Sequence, residues 1–88
     1  MEIRFEAERD RAAAYDGETL AGRCEFVRRE SGWDILHTVV EPAYGGQGLA
    51  AKLVDCVAAA AKEAGAPLTA TCSYAKRRLQ DRDSDQRP

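Results

Sequence analysis

The chain reads as an α+β domain in which an antiparallel meander sheet leads into a strand–loop–helix–strand unit, and three features predict this. The first forty residues carry short β-rich runs punctuated by turn signals at Asp16-Gly17 and Ser31-Gly32. A single long stretch places Leu49, Leu53, Val57 and Ala61 at four-residue steps, the spacing of an amphipathic helix. After Gly65 and Pro67 comes one more short apolar run, Leu68 to Cys72.

Taken in order, Ile3, Phe5 and Ala7 alternate with charged residues and predict a first strand, interrupted at Glu8 to Arg11. The run Ala12-Ala13-Ala14-Tyr15 ends at Asp16-Gly17, a hairpin signal that calls for a second strand and a return. Leu20 to Arg28 is too aperiodic for a helix, and Gly22 within it predicts a bulge. "WDILHTVV", Trp33 to Val40, is dominated by β-branched and aromatic side chains. Strict alternation puts Trp33, Ile35, His37 and Val39 on one face and Leu36, Thr38 and Val40 on the other, as in a central strand. Pro42 holds Glu41 extended and ends the ladder. From Gly46 or Gln47 to Ala64 the helix buries Leu49, Leu53, Val57 and Ala61, with Ala50, Val54, Ala58 and Ala64 beside them, and turns Lys52, Asp55, Ala59, Lys62 and Glu63 outward. Gly65 caps it and Pro67 stops it. Leu68 to Cys72 is expected as a strand, parallel to a sheet neighbour through a right-handed crossover, and Ser73 to Leu79 as a short helix capped by Ser73 or Thr71. Residues 81–88 hold no apolar side chain and read as a disordered tail after a single domain of residues 1–80.

Composition narrows the function. Eighty-eight residues with 44% hydrophobic and 32% charged side chains make one thin core, burying about 60–65% of the unfolded chain's surface. A formal charge of −2 with both signs interspersed lacks the basic excess of a nucleic-acid binder. No apolar run approaches the ~20 residues of a membrane span, and Glu2, Arg4, Glu6 and Glu8 do not make a signal peptide, so a cytoplasmic protein is expected. Three cysteines without a C-x-x-C pair, and one histidine, predict neither a disulfide framework nor a metal site.

The segment "EPAYGGQGLAAKLVDCV" raises the functional question, because a glycine cluster inside regular structure costs roughly 0.5–1 kcal/mol per glycine. A strand that stops, a glycine turn and a helix that starts at once can form an anion cradle, since the first helical N–H groups have no internal partner and the helix end carries partial positive charge. Gly45, Gly46 and Gly48, with the amides of Gln47, Leu49 and Ala50, are suited to hold a phosphate. A tight connection with no ligand accounts for the same residues equally well. A nucleotide P-loop is excluded by the missing lysine and hydroxyl, and a dinucleotide fingerprint by the misplaced third glycine.

"HTVVEPAYGGQGLAAKLVDCVAAAAKEAG" followed by "LTATCSYAKRRL" resembles the small single-domain branch of the GCN5-related N-acetyltransferases over about Ala12 to Leu79. That family's signature, Arg or Gln, two variable residues, Gly, one variable residue, then Gly or Ala, falls on Gly45, Gly46, Gln47, Gly48, Leu49 and Ala50. It matches at Gly48 and Ala50 and departs at Gly45, where the family carries Arg or Gln. The resemblance implies a minimal acetyl-CoA-binding fold, a loop that takes the coenzyme's pyrophosphate, and main-chain contacts from Val39 and Val40 to its pantetheine arm. It implies acetyl transfer to a primary amine, with Cys72-Ser73-Tyr74 matching a CSY element of the small branch.

Cys72 can also be argued from chemistry. A cysteine where a strand opens into a helix sees the positive helix end, which lowers its pKa and raises its thiolate fraction, making it a nucleophile or a base. Burial for packing alone is the other reading, and it is the one that fits Cys24 and Cys56. His37 is either a hydrogen-bonded core residue or, as the one side-chain type here whose unperturbed pKa is near neutral, catalytic. For Tyr74 the resemblance implies a hydrogen bond to the departing thiolate, a task tyrosine performs in the larger family. Lys76, Arg77 and Arg78 form a basic cluster that suits the coenzyme's 3′-phosphate or a solvated face. For a cationic acceptor, Glu25, Glu30, Asp34 and Glu41 are the available carboxylates. A non-catalytic coenzyme- or anion-binding module and a small protein-interaction domain stand as the alternatives, and the oligomeric state is left open.

Overall fold

A computed structural model describes the backbone of residues 1–85 and the side chains of residues 1–81. Five strands, β1 (Glu2–Glu6), β2 (Arg11–Asp16), β3 (Thr19–Arg29), β4 (Gly32–Val40) and β5 (Leu68–Ala70), form one sheet in the order 1-2-3-4-5. The first three pairings are antiparallel and the last is parallel. Helix α1 (Leu49–Ala64) and helix α2 (Ser73–Asp85) complete the chain.

The alternation of apolar residues does what the sheet requires on one face only. Ile3, Phe5, Ala12, Ala14, Cys24, Phe26 and Ile35 join Leu49, Leu53, Val54 and Val57 of α1 in one core. Each fully buried Leu, Val or Ile contributes roughly 1.5–3 kcal/mol. Ala75 and Leu79 bring α2 to the same side. A stack of Phe5, Phe26 and Trp33, with adjacent centroids 5.8 and 4.6 Å apart, closes one end of the core, and Arg28 lies over the last two rings. Among the described residues the other sheet face has no helix on it and is mostly polar. It carries Arg11 bonded to Glu6 at 2.6 Å, Tyr15 donating to Glu6 at 2.7 Å, and Arg23 paired with Glu25.

Two bulges set the register. Ala14 faces Gly22 while Tyr15 faces Leu20, which leaves Ala21 as the extra residue in β3, beside the glycine that predicted it. In β4, Glu25 faces His37 while Phe26 faces Ile35, which leaves Leu36 unopposed. That second bulge corrects the strict alternation expected for "WDILHTVV". Ile35 is buried and Thr38 and Val40 turn to the helices, whereas His37 and Val39 are exposed. A one-residue slip exchanges the faces of everything after it. His37 is therefore not a core histidine.

Other boundaries shift for local reasons. The helix begins at Leu49, not Gly46 or Gln47, because Gly48 is left-handed at φ 72° and cannot continue a right-handed turn. A short 3₁₀ turn, Pro42–Tyr44, fills the space between β4 and the glycines. β5 ends at Ala70, because the amides of Thr71 and Cys72 both turn onto the carbonyl of Ile35, at 2.9 and 3.1 Å. Helix α2 runs past Leu79 to Asp85, so residues 81–85 are helical where a tail was expected, and residues 86–88 of that expected tail lie outside the described residues.

Candidate functional site

The early end of β5 is the feature that opens a site. β4 and β5 pair only from Trp33 with Leu68 to Ile35 with Ala70, while β4 runs on to Val40. Two threonines hold the strands together just before they part: Thr69 and Thr71 donate to the Asp34 carboxylate, each at 2.7 Å. These hydroxyls, Thr71 first, hold Asp34 below the usual carboxylate range. Beyond this clasp one edge of β4 has no neighbouring strand among the described residues.

Which main-chain groups face that edge follows from the register. Glu41 donates its N–H to the Ala21 carbonyl at 2.9 Å, and the same register pairs Val39 with Arg23 and His37 with Glu25. Bonded and non-bonded pairs alternate along an antiparallel ladder, so the amides and carbonyls of Val39 and His37 turn to β3. Those of Thr38 and Val40 turn to the free edge. Of the two residues named from sequence, Val40 presents its main chain there and Val39 does not; Thr38, unnamed, takes the second place.

Cys72 sits where the edge begins. Its carbonyl accepts the first helical bond of α2, from Lys76 N–H at 2.9 Å, so Cys72 itself is the N-cap, in the position expected for Ser73 or Thr71. Its Sγ lies 3.8 Å from Thr38 Oγ1. Partial burial pushes the thiol up, but hydrogen bonds from the Ala75 amide, the Thr38 hydroxyl, and the Tyr74 and Thr38 amides outweigh it, and the net shift is below the ordinary thiol value. The amide of Thr38 among these donors agrees with the direction deduced from the ladder. Thr38 Oγ1 also lies 3.6 Å from Cys24 Sγ. One hydroxyl proton cannot serve both sulfurs as donor. With both sulfurs protonated, Thr38 Oγ1 accepts from the Cys72 thiol and donates to Cys24 Sγ. Burial pushes Cys24 up to about 11 and keeps it a thiol, so when Cys72 loses its proton the Thr38 hydroxyl turns to the thiolate. Burial also raises Cys56.

At the other end of the edge lies the glycine loop. Tyr44 anchors it, donating its hydroxyl to Asp16 at 2.7 Å. Gly46 and Gly48 adopt φ 78° and 72°, conformations that side chains rarely take, and a Cβ on either would meet no protein atom within 4 Å. The glycines serve the backbone path and leave the space above it clear. Gly48 is the N-cap of α1 and no side chain caps the helix; the first bond within it is Lys52 N–H to Gly48 O, at 3.3 Å. The amides of Leu49, Ala50 and Ala51 precede that bond and point out of the helix. Gly45, extended at φ −66°, donates to the Pro42 carbonyl at 3.2 Å, and Gln47 is exposed.

The site therefore gathers Cys72, Thr38, Val40 and the loop from Gly45 to Ala50, with Tyr74 45% exposed one turn into α2. His37 is not among them: it leaves β4 on the opposite face from Thr38. Thr38 was missed in the sequence because only the Leu36 bulge turns it toward Cys72. Of the four carboxylates, Asp34 lies at the clasp and Glu25 opposite His37, while Glu30 and Glu41 are exposed outside both. Among the described residues no group of three or more His, Cys, Asp or Glu could hold a metal ion, and no helix is long and apolar enough to cross a membrane.

A split between two parallel strands, a thiol at its apex and an uncapped helix start at its mouth make up the candidate site. The family model "GCN5-related N-acetyl-transferase" matches residues 4–87. The NMR solution structure of a GCN5-like candidate N-acetyltransferase from Staphylococcus aureus superposes with a TM-score of 0.70 at 29% identity, covering 97% of this chain and 83% of that one. No curated protein matches significantly. The fold resembles that structure throughout its five strands and two helices, and the chain belongs to the GCN5-related N-acetyltransferase family of acetyltransferases.

Proposed function

We propose that this acetyltransferase takes its acetyl group from acetyl-CoA and delivers it to a primary amine, with Cys72 as the reacting side chain. The observation that carries this reading is the edge of β4 at Thr38 and Val40, left without a strand partner by the early end of β5, with Cys72 at one end and the uncapped first turn of α1 at the other. The fit to the coenzyme rests on two features: amides at Leu49, Ala50 and Ala51 without a capping side chain, and clear space above Gly46 and Gly48. A diphosphate on these amides gains about 0.3–1 kcal/mol from the helix dipole besides its hydrogen bonds. Gly45, Gly46, Gln47, Gly48, Leu49 and Ala50 would hold that group, and Thr38 and Val40 the amide-bearing arm. When bound, the coenzyme supplies an activated acetyl thioester.

The chain's own residues then have distinct tasks. Cys72, kept toward the thiolate by four donors, is the nucleophile for the acyl carbon or the base for the acceptor's ammonium. Tyr74, exposed beside it, carries the phenol proton suited to a departing thiolate. His37 works on the open face of β4, where its ring is available to the proton of an incoming amine. Titration of the purified protein with CoA tests the coenzyme: a rise in melting temperature is expected, since a ligand that binds only the native state must stabilise it. No shift at millimolar CoA would remove the reading. Incubation with acetyl-CoA and intact-protein mass spectrometry then separates the two roles of Cys72. An acetyl adduct lost in Cys72→Ala marks the nucleophile; turnover without an adduct marks the base.

A further inference from the structure

The clasp at the head of the split is asymmetric. Both threonine hydroxyls donate to Asp34 at 2.7 Å, but Thr69 lies inside β5, paired with Asp34 in the ladder, whereas Thr71 lies beyond its end. Thr69 Oγ1 also lies 3.4 Å from the Trp33 carbonyl, a second acceptor that Thr71 lacks among the described residues. Outside the ladder, Thr71 is held by two neighbouring residues of β4. The Asp34 carboxylate takes its hydroxyl, and the Ile35 carbonyl takes its amide at 2.9 Å.

The next residue is Cys72. Its amide goes to the same Ile35 carbonyl, at 3.1 Å, so the direction of the turn at Thr71 decides where Cys72 starts α2. Ile35 is fully buried under the helices, and alternation puts Asp34 on the polar face of the sheet. The Cys72 thiol points the other way, to Thr38 Oγ1 and the amides of Ala75 and Tyr74. Hydrogen bonds weaken steeply as they bend, so a rotation at Thr71 takes the sulfur off these donors.

We propose that Asp34 is a positioning residue for Cys72: by holding the Thr71 hydroxyl from the polar face, it fixes the turn that sets the thiol at the start of α2 and against Thr38. This rests on the reading of Cys72 as the reacting side chain. Charge and position act in opposite directions here. A nearby carboxylate disfavours a thiolate, so removing its charge alone would make Cys72 more acidic, whereas losing the position of the sulfur makes it less so.

The test is iodoacetamide labelling of Cys72 across pH, read by peptide mass spectrometry, in the full-length wild type, Asp34→Ala, Asp34→Asn, Thr71→Val and Thr69→Val. Asp34→Ala and Thr71→Val should each label about two to three times more slowly near neutrality, the loss of about one donor partly returned by the greater nucleophilicity of a less acidic thiol. Asp34→Asn, whose amide group accepts from one hydroxyl and donates to the other, should restore much of the wild-type profile. Thr69→Val controls for a general loosening of the clasp: its melting temperature should fall about as far as that of Thr71→Val, with the Cys72 profile unmoved. Faster labelling in Asp34→Ala, a Thr69→Val profile that moves as far as that of Thr71→Val, or an unmoved profile in Thr71→Val would overturn the assignment. Thr71→Val keeps the test decisive should Asp34→Ala fail to fold. Thermal melts with CoA accompany the labelling, and a wild type that CoA does not stabilise removes the coenzyme reading while leaving the result for Asp34 standing.

Discussion

Replacing Thr38 by Val tests whether the sequence-distant pair Thr38 and Cys72 sets the reactivity of the thiol. Valine keeps the volume and removes the hydroxyl, while the Thr38 amide, also a donor to Cys72 Sγ, stays in place. A hydrogen bond to a partly exposed anion is worth about 1 kcal/mol, which is about fivefold in the thiolate population near pH 7. The alkylation rate falls by less. A thiol of higher pKa is intrinsically more nucleophilic, with a Brønsted slope of about 0.4–0.5, so roughly half of the logarithmic loss returns. The expected result is labelling of Cys72 about two to three times slower near neutrality, and a plateau at high pH that lies higher than in the wild type. Iodoacetamide labelling across pH, with peptide mass spectrometry to assign the site, reads both. Cys24, fully buried and pushed up to about 11, should remain unlabelled on the same timescale. A pH profile for Cys72 that does not move would refute the donor role and leave only the helix amides.

Two further outcomes test the elements that frame the site. Gly48→Ala forces a side chain into the left-handed region at φ 72° with no steric contact to blame, so the cost is conformational, about 1–2 kcal/mol. In a domain of this size the melting temperature should fall by about 4–15 °C; no fall in thermal melts would mean the loop takes another conformation in solution. Asp34→Ala removes the clasp of Thr69 and Thr71. Because the folded state holds the Asp34 carboxyl below its ordinary value of about 4, its contribution is complete above that value and is lost as pH falls through the lower folded one. Urea titrations should find the variant destabilised by up to about 1 kcal/mol near neutrality and matching the wild type once the carboxyl is protonated. A difference that does not depend on pH would show that Asp34 acts by packing.

Much of this arrangement was legible in the sequence because local chemistry and tertiary need coincide there. The hairpin at Asp16-Gly17, the amphipathic α1 and the stop at Gly65-Pro67 are decided by residues within a few positions of one another. The faces of β4 are not. Nothing in "WDILHTVV" shows that Leu36 bulges, because the bulge depends on how Glu25 and Phe26 meet the strand from β3. That one residue moves His37 out of the core and brings Thr38 to Cys72. The length of α2 was hidden for another reason. Its last turns hold no apolar periodicity, and helix is kept there by continuity with Ala75 and Leu79 on the core and by the Asp55–Arg78 fork.

The site is built on main-chain groups, and the size of the domain explains why. One helix layer on one sheet face leaves no interior in which to enclose a long polar ligand by side chains. A three-residue β5 beside a nine-residue β4 supplies the alternative, because the unpaired part of the longer strand is itself a row of donors and acceptors. An unpaired edge is ordinarily a hazard, open to strands of other chains. Here it is guarded at one end by α2 starting across it at Cys72 and at the other by the turn at Pro42, which brings the chain back into α1. The same two features aim two helix N-termini at the edge, one at a sulfur and one at open space. A substitution that lengthened β5 by two residues would pair the edge, pull Cys72 out of its cap and remove the site while adding hydrogen bonds to the fold.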